Sequence, residues 1–229
     1  MYDHEQSTAH KPHPHHILPG LDQEVGPLLG LGLGLTGLTL GIKPRLAGVV
    51  LALTAVGALF FRDPERTTPS DPRQLVAPAD GTTLAVDELY EHRYLHTDAV
   101  RIATLLAPLN VPVSRSPVSG VVQFLEHVPA RACLPLDQLQ AAEVNNRLYV
   151  GIDTSWGPVL LILISGPLTN RIAVYVQPGD YVQAGQRIGT VRFGSRTDLL
   201  VQRDSLHPVI NVGTHVVGGV SLLGQIMPL

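Results

Sequence analysis

The dipeptide Gly194-Ser195 offers the clearest chemistry in the sequence, and it lies between Arg192 and Arg196 just after a predicted β-strand. A serine hydroxyl can attack the carbonyl of the residue before it when that peptide is strained and the oxyanion is stabilised. The ester that forms can break by β-elimination, which cuts the chain. Glycine suits the position before the serine because it tolerates strained turns. The alternative is an ordinary Gly-Ser turn at a strand end.

The composition excludes several other kinds of site. The only lysines, Lys11 and Lys43, precede the β-rich region, so no lysine there can form a Schiff base with a substrate or carry a prosthetic group. The single Cys133 rules out an intramolecular disulfide and a cysteine-based zinc site, and no metal site is expected. A net charge of −3 gives no reason to expect a nucleic-acid partner.

Further motifs surround the dipeptide and occur in a fixed order along the chain. They are FFRDPER at Phe60–Arg66, PADG at Pro78–Gly81, RSPVSG at Arg115–Gly120, and GDYVQAGQRIGTVRFGSR at Gly179–Arg196. In this order they resemble the short form of the phosphatidylserine decarboxylase family, which includes archaetidylserine decarboxylase-like members. The resemblance covers nearly the whole chain. It implies self-cleavage between residues 194 and 195, with Ser195 converted into a pyruvoyl cofactor.

The resemblance also implies a reaction. The keto group of the pyruvoyl would form an imine with the amine of phosphatidylserine, or of a related aminophospholipid, and accept the electrons left by CO₂. The product would be phosphatidylethanolamine. The chain would exist as a β fragment, Met1–Gly194, and an α fragment, Ser195–Leu229, and by analogy with the family it could form a homo-oligomer. The alternative is a non-catalytic, membrane-tethered adaptor with the same fold.

Several residues receive expected roles from the same resemblance. Asp80 in the PADG motif is expected to assist self-cleavage, although Asp80-Gly81 is also a common turn dipeptide. Arg115 and Ser116 are expected near the pyruvoyl group, where an arginine suits a phosphate or a carboxylate. Arg196 is the third candidate for substrate binding. A structural role is the alternative for Arg115.

Two positions depart from the family pattern. Family members usually carry a histidine in PLNVHV, which is thought to help decarboxylation, whereas this chain has Pro112 and therefore no proton to give there. The family's A-R-R-I run is altered to Gly166–Ile172 (GPLTNRI). His127 is a candidate replacement proton donor because an unperturbed histidine titrates near ~6.5. The alternative is an exposed histidine without a catalytic role.

The N-terminal third is expected to be a disordered tail followed by a membrane anchor. Residues 1–24 hold five of the ten histidines and no apolar pattern. Val25–Ile42 and Leu46–Phe61 are uncharged runs joined by a basic, proline-containing turn, and each is short of the ~20 residues that a spanning helix needs. We therefore predict a helical hairpin over residues 25–61 that anchors the protein at the cell membrane, then a linker over 62–74. The alternative is a pair of buried core helices.

Residues 75–229 are predicted to form a mainly β domain. A repeat is visible, since Val176–Gly185 and Ile210–Gly219 share the pattern Gly-x-x-Val-x-x-Gly at a constant offset. This pattern resembles the hammerhead motif of barrel-sandwich hybrid folds, in which two halves interlock. Helix is indicated only at Leu136–Val144. The expected strands are Val100–Leu106, Val118–Phe124, Leu148–Ile152, Val159–Ile164, Ile172–Val176, Gln186–Val191 and Val209–Val212.

Overall fold

The computed structural model describes residues 21, 25–59, 61–108, 110–168 and 171–227. The predicted histidine-rich tail over residues 1–24 lies outside the described residues, apart from Leu21. Two apolar helices come first, α1 (Val25–Ile42) and α2 (Pro44–Leu59). The rest of the described chain is β-structure, a short helix α3 (Ala141–Val144) and a 3₁₀ turn (Arg203–Ser205). The prediction of a mainly β fold with an N-terminal pair of apolar helices is confirmed.

The two helices pack on each other through small residues. A Cβ added at Gly32 of α1 would lie 2.3 Å from Oγ1 of Thr54 on α2, so the helices approach closely there. Most of their leucines point outward, with Leu38 65% and Leu53 67% exposed. The pair is therefore not a set of buried core helices. Among the described helices, α1 has the length and composition to cross a membrane, and α2 is shorter.

The β domain contains one large sheet and two small ones, all antiparallel. The large sheet has eight strands in the order β13-β2-β3-β11-β7-β6-β5-β9, and the small sheets are β1-β14-β12 and β4-β10-β8. The strands are β1 (Gln74–Val76), β2 (Gly81–Glu91), β3 (Thr97–Leu106), β4 (Val113–Arg115), β5 (Gly120–Val128), β6 (Arg147–Thr154), β7 (Gly157–Ser165), β8 (Ala173–Val174), β9 (Tyr181–Val182), β10 (Arg187–Thr190), β11 (Ser195–Gln202), β12 (Leu206–Pro208), β13 (His215–Val216) and β14 (Leu222–Ile226).

The strand order divides the domain into two equivalent halves. The small sheet β1-β14-β12 corresponds to β4-β10-β8. In the large sheet, β13-β2-β3-β11 corresponds to β9-β5-β6-β7 counted from the opposite edge, so β11 and β7 meet at the centre. The half formed by β4 to β10 is inserted in the chain between β3 and β11 of the other half. The halves are thus interlocked, as the hammerhead pattern predicts.

The repeat seen in the sequence coincides with this symmetry. The four glycines of the Gly-x-x-Val-x-x-Gly pattern have positive φ angles: 96° at Gly179, 79° at Gly185, 85° at Gly213 and 74° at Gly219. Non-glycine residues adopt such angles only at a cost, which explains the residue type at these turns. The valine between each pair of glycines is completely buried. The turns therefore fold in the same way in both halves.

The two faces of the large sheet bury different sets of side chains. On β11, Leu199 and Val201 belong to the larger apolar cluster, whereas Leu200 belongs to the smaller one on the opposite face. The residues at odd positions of β11, including Ser195, therefore face the larger cluster, because successive side chains on a strand alternate. One strand prediction is wrong: Val209–Val212 is not a strand.

Candidate active site

Ser195 begins the central strand β11, at the point where both neighbouring strands end. Its register partners are Leu106, the last residue of β3, and Ser165, the last residue of β7. Ser195 is 1% exposed. Its Oγ has no hydrogen-bond partner among the described residues. A buried hydroxyl without a partner is uncommon in proteins, and strain or a catalytic role is one reason for it.

The backbone before Ser195 is strained. Phe193 has φ 64° and Gly194 has φ 88°, so two consecutive residues lie in the left-handed region. For the non-glycine Phe193 this conformation costs about 1–2 kcal/mol. The carbonyl oxygen of Gly194 lies close to Gly166, because a Cβ added at Gly166 would be 3.1 Å from that oxygen and 3.0 Å from Cδ1 of Leu136. The Gly194 carbonyl therefore lies in a tight turn, and the missing side chain at Gly166 leaves room for its oxygen.

The segment after β3 packs beside the same turn. A Cβ added at Gly194 would lie 3.6 Å from Cγ of Pro108, within ordinary contact distance. Further along, the Pro112 carbonyl accepts a hydrogen bond of 3.0 Å from the Val191 amide. Pro112 is buried. The position where the family usually has a histidine therefore lies against the chain that leads into Gly194-Ser195, although its side chain has no proton.

A buried polar group that the sequence analysis missed supports the end of β7. The Asn145 side chain donates to the Ser165 carbonyl at 3.2 Å and to the Leu134 carbonyl at 2.9 Å. The Ser165 amide donates to the Asn146 carbonyl at 2.9 Å. Since Ser165 pairs with Ser195, these asparagines hold the strand end next to the serine. The sequence signal for this contact is the pair of adjacent polar residues Asn145-Asn146 directly before β6.

Arg196 points to the opposite face of the sheet from Ser195 and is completely buried. Its guanidinium donates to both carboxylate oxygens of Asp198, at 2.6 and 2.5 Å. It also donates to the carbonyls of Gln138 and Leu139, at 3.0 and 3.3 Å. Burial raises the pKa of Asp198, and the charges of Arg196 and Arg101 oppose that shift. The contacts of Arg196 anchor the start of β11.

Asp80 lies at the turn before β2 and is held by two groups. Its carboxylate accepts from Arg66, at 2.5 and 2.8 Å, and from the Gly218 amide at 2.8 Å. The equivalent turn in the other half has Ser119, whose Oγ accepts from the Ala184 amide at 3.0 Å. Asp80 therefore stabilises a hammerhead turn in the same way as its counterpart, with the ion pair to Arg66 as an addition.

Arg115 and Ser116 lie in the matching turn region of the other half. The Arg115 guanidinium donates to the Asp63 carboxylate at 3.0 Å and to the Gly185 carbonyl at 3.0 Å. Burial lowers the pKa of Arg115, and Asp63 opposes that shift. The Ser116 hydroxyl donates to the Val118 carbonyl at 2.6 Å. The structure thus places Asp80, Arg115 and Ser116 at the hammerhead turns. Two residues that follow the helix pair contact them there, Arg66 at Asp80 and Asp63 at Arg115.

His127 is separate from these groups. It is exposed on β5, and its register partner is Leu148 on β6. Leu148 pairs with Leu163, which pairs with Thr197 on β11. Three strand spacings separate His127 from β11, which corresponds to about 14 Å. Among the described residues, no group of three or more His, Cys, Asp and Glu side chains could hold a metal ion.

The fold and the buried serine after a left-handed glycine define the class: a hammerhead-type β protein with a Gly-Ser bond in a tight turn that leads into the central strand of its main sheet. Comparison with known families agrees with the motifs. Residues 53–224, well over half of the chain, match the model of the family described as phosphatidylserine decarboxylase. The chain belongs to the phosphatidylserine decarboxylase family, as its motifs predict.

Individual relatives cover most of the chain. A phosphatidylserine decarboxylase proenzyme from Carboxydothermus hydrogenoformans is 36% identical over 87% of this chain and 92% of its own length. One of the same name from Symbiobacterium thermophilum is 34% identical over 91% of this chain and 96% of its own. A protein from Methanothermobacter thermautotrophicus, provisionally named archaetidylserine decarboxylase proenzyme, is 32% identical over 78% of this chain and 85% of its own length.

Proposed function

We propose that this protein is a self-processing decarboxylase that converts phosphatidylserine, or a related serine phospholipid, into phosphatidylethanolamine and CO₂. The observation that carries the proposal is Ser195 itself. Its hydroxyl is buried and unpartnered among the described residues, and it directly follows Gly194 in a left-handed turn. Membership of the family and the proenzyme names of the relatives support the same reaction.

The first step is the cut before Ser195. Its hydroxyl attacks the Gly194 carbonyl carbon, the C–N bond breaks in favour of an ester, and β-elimination releases the Gly194 carboxylate. The strain at Phe193 favours this step because cutting the chain after Gly194 lets the turn relax. We assign to Asp80 an assisting role, which it would exert through the turn that it stabilises with Arg66.

The buried, unpartnered Ser195 hydroxyl fits a residue that becomes a pyruvoyl group, which supplies an electron sink for decarboxylation. The new chain end stays in place because Arg196, the next residue, is fixed by four hydrogen bonds. β11 also keeps its register with β3 and β7. These contacts favour a positioning role for Arg196. Arg115 and Ser116 remain candidates for holding the lipid headgroup, with Asp63 as a competing partner of Arg115.

The helix pair would anchor the protein in the membrane. Its exit is fixed to the β domain, since the Arg192 guanidinium lies 4.7 Å from the centre of the Phe61 ring and Asp63 pairs with Arg115 and Arg187. Arg192 precedes Ser195 by three residues. An anchor attached at this point would keep the Gly194-Ser195 turn close to the membrane surface, where lipid headgroups lie.

The test uses the full-length chain, purified in detergent. Intact mass should show two fragments that meet between residues 194 and 195, with an α fragment blocked to Edman degradation. Ser195→Ala should stay intact and serves as the control. Vesicles that contain phosphatidylserine should then release CO₂ with the wild-type protein only. An intact wild-type chain would contradict the proposal.

A second candidate function is a non-catalytic membrane-tethered adaptor, and Pro112 is the observation that favours it. Cleavage without CO₂ release would leave this candidate standing for the mature protein. His127 remains a candidate proton donor for decarboxylation. If it has that role, His127→Ala lowers CO₂ release and leaves cleavage unchanged, and equal CO₂ release would remove it from the mechanism.

A further inference from the structure

Three threonines form a row across adjacent strands of the large sheet. Thr83 on β2 pairs with Thr104 on β3, and Thr104 pairs with Thr197 on β11. They are 1%, 0% and 1% exposed. None of their hydroxyls has a hydrogen-bond partner within the part of the chain that the structure describes. Three unpartnered hydroxyls in one row are unusual, because buried polar groups are nearly always hydrogen-bonded.

The row lies on the same face of the sheet as Ser195. Thr197 is two residues from Ser195 on β11, and alternate residues of a strand share a face. Thr104 is likewise two residues from Leu106, the partner of Ser195 on β3. Directly paired and diagonal side chains on one face are about 4.5–8 Å apart. One small molecule between Thr104 and Thr197 would therefore be a neighbour of Ser195.

The last residue of the PADG motif, Gly81, lies beside the row on β2, two residues before Thr83. A Cβ added at Gly81 would lie 2.9 Å from Cγ2 of Thr104 and 2.2 Å from the Leu105 carbonyl oxygen. Only glycine leaves room for the strands to approach here. Beyond Ser195 and the threonines, this face of β3 and β11 carries apolar side chains such as Ile102 and Leu199. The threonines are thus a polar site within an apolar interior.

We propose that Thr104 and Thr197 bind a buried water molecule beside residue 195, with Thr83 extending the polar row on the far side of Thr104, and that this water completes the formation of the pyruvoyl group. Buried waters bind where several otherwise unsatisfied polar groups meet, which is the arrangement in this row. The hydroxyls are too deeply buried to contact a lipid. Water is small enough to reach them.

This inference rests on the proposed function, because it concerns a step that follows the cut. After β-elimination, residue 195 is a dehydroalanine with a free amino group, and it tautomerises to an imine. One water adds to the imine carbon, the C–N bond breaks, and NH₃ leaves. The carbon keeps the oxygen of the water as its keto oxygen, so atoms balance and no oxidant or reductant is needed. The threonines would hold the water for this addition.

The first experiment separates the cut from the hydrolysis. Wild-type protein, Thr104→Val, Thr197→Val and the hydroxyl-retaining Thr104→Ser are produced as full-length chains and quenched with borohydride at successive times. Borohydride turns a remaining imine into alanine, which Edman degradation detects, and turns pyruvoyl into a blocked lactoyl group. The valine variants should be cut but accumulate alanine-ended α fragment at least several-fold over wild type. Thr104→Ser should behave like wild type.

The matched control is Thr190→Val. Thr190 is also a buried threonine, but its hydroxyl is 2.7 Å from the Tyr175 hydroxyl and lies outside the row. It should give the wild-type yield of blocked α fragment. Valine variants that are cut and form pyruvoyl at the wild-type rate would overturn the inference while leaving the proposed function intact. An uncut wild-type chain would instead overturn the proposed function.

A second measurement does not depend on cleavage. In the uncut Ser195→Ala background, Thr104→Val removes a hydroxyl and nearly preserves the shape of the side chain. If the hydroxyl binds water, the variant loses that interaction and the melting temperature falls. If the hydroxyl has no partner at all, its removal raises the melting temperature, because an unsatisfied buried polar group is destabilising. A rise for both Thr104→Val and Thr197→Val would refute the water site.

Discussion

The left-handed turn at Gly194 can be tested by a single methyl group. In Gly194→Ala, the new Cβ would have its nearest neighbours at 3.6 Å, so the side chain fits without a clash. The penalty therefore comes from φ 88° alone. An L-residue in the left-handed region costs about 1–2 kcal/mol. For a chain of this size that corresponds to a fall in Tm of about 2–8 °C.

Gly213 provides a control that separates the effect of an unfavourable φ angle on stability from its effect on cleavage. Gly213 has φ 85°, and nothing lies within 4 Å of the Cβ that an alanine would add there. Gly213→Ala should therefore lower the Tm by a similar amount. Its turn is the one before β13, on an outer strand of the large sheet. Cleavage in this variant should proceed at the wild-type rate.

Cleavage in Gly194→Ala should be slower. The alanine can relieve the strain by leaving the left-handed region, which reorients the carbonyl that Ser195 must attack. A penalty of 1–2 kcal/mol shifts the turn away from the competent conformation by a factor of about 5–30, and the cut should slow by that factor. The assay is the fraction of intact chain against time on a denaturing gel. Equal cleavage rates for the two alanine variants would refute the role of the turn.

Four further single substitutions have expected outcomes. Gly166→Ala places a methyl group 3.1 Å from the Gly194 carbonyl oxygen and should slow the proposed cleavage, as followed on the same gel, while the chain stays folded. Arg66→Ala removes the partner of Asp80, whose ion pair is mostly buried, and should lower stability by about 3 kcal/mol in chemical denaturation. The exposed ion pair between Arg93 and Glu126 should contribute less than about 1 kcal/mol, which Glu126→Ala tests without removing the contact of Arg93 with the Tyr149 ring. Pro112→His should raise CO₂ release per cleaved chain if the missing proton donor limits turnover, and an unchanged rate would place the donor elsewhere.

The two-fold repeat of the fold could be predicted from the sequence more completely than the individual strands. Glycines at fixed positions show the hammerhead turns because only glycine adopts their φ angles easily. The strand that begins with Ser195 was missed, although it is the centre of the sheet. Arg196 and Asp198 interrupt its apolar pattern, because charged residues are usually taken as exposed. In the structure they are buried and form an ion pair on one face of the strand. The spacing Arg-x-Asp within a strand is the signal for such a pair.

The roles of the arginines illustrate a second limit. Arg115 was predicted to bind substrate, and its partner Asp63 lies 52 positions earlier in the chain. A contact of this kind depends on how the exit of the helix pair packs against the β domain, which local patterns do not determine. The motif FRDPER contains both Asp63 and Arg66, and each forms an ion pair to a hammerhead turn, Asp63 with Arg115 and Arg66 with Asp80.

The position of the Gly194-Ser195 bond also explains how the fold could tolerate the proposed cut. The bond lies in the connection from β10 back to β11, where the chain leaves the inserted half. The α fragment would carry β11 to β14. Of these, β11 pairs with β3 and β7 of the β fragment, β13 pairs with β2, and β14 pairs with β1. The two fragments would therefore be held together by interlocked sheets. They should co-purify under native conditions and separate only when unfolded, whereas dissociation on dilution would mean that the halves interlock less tightly than this topology requires.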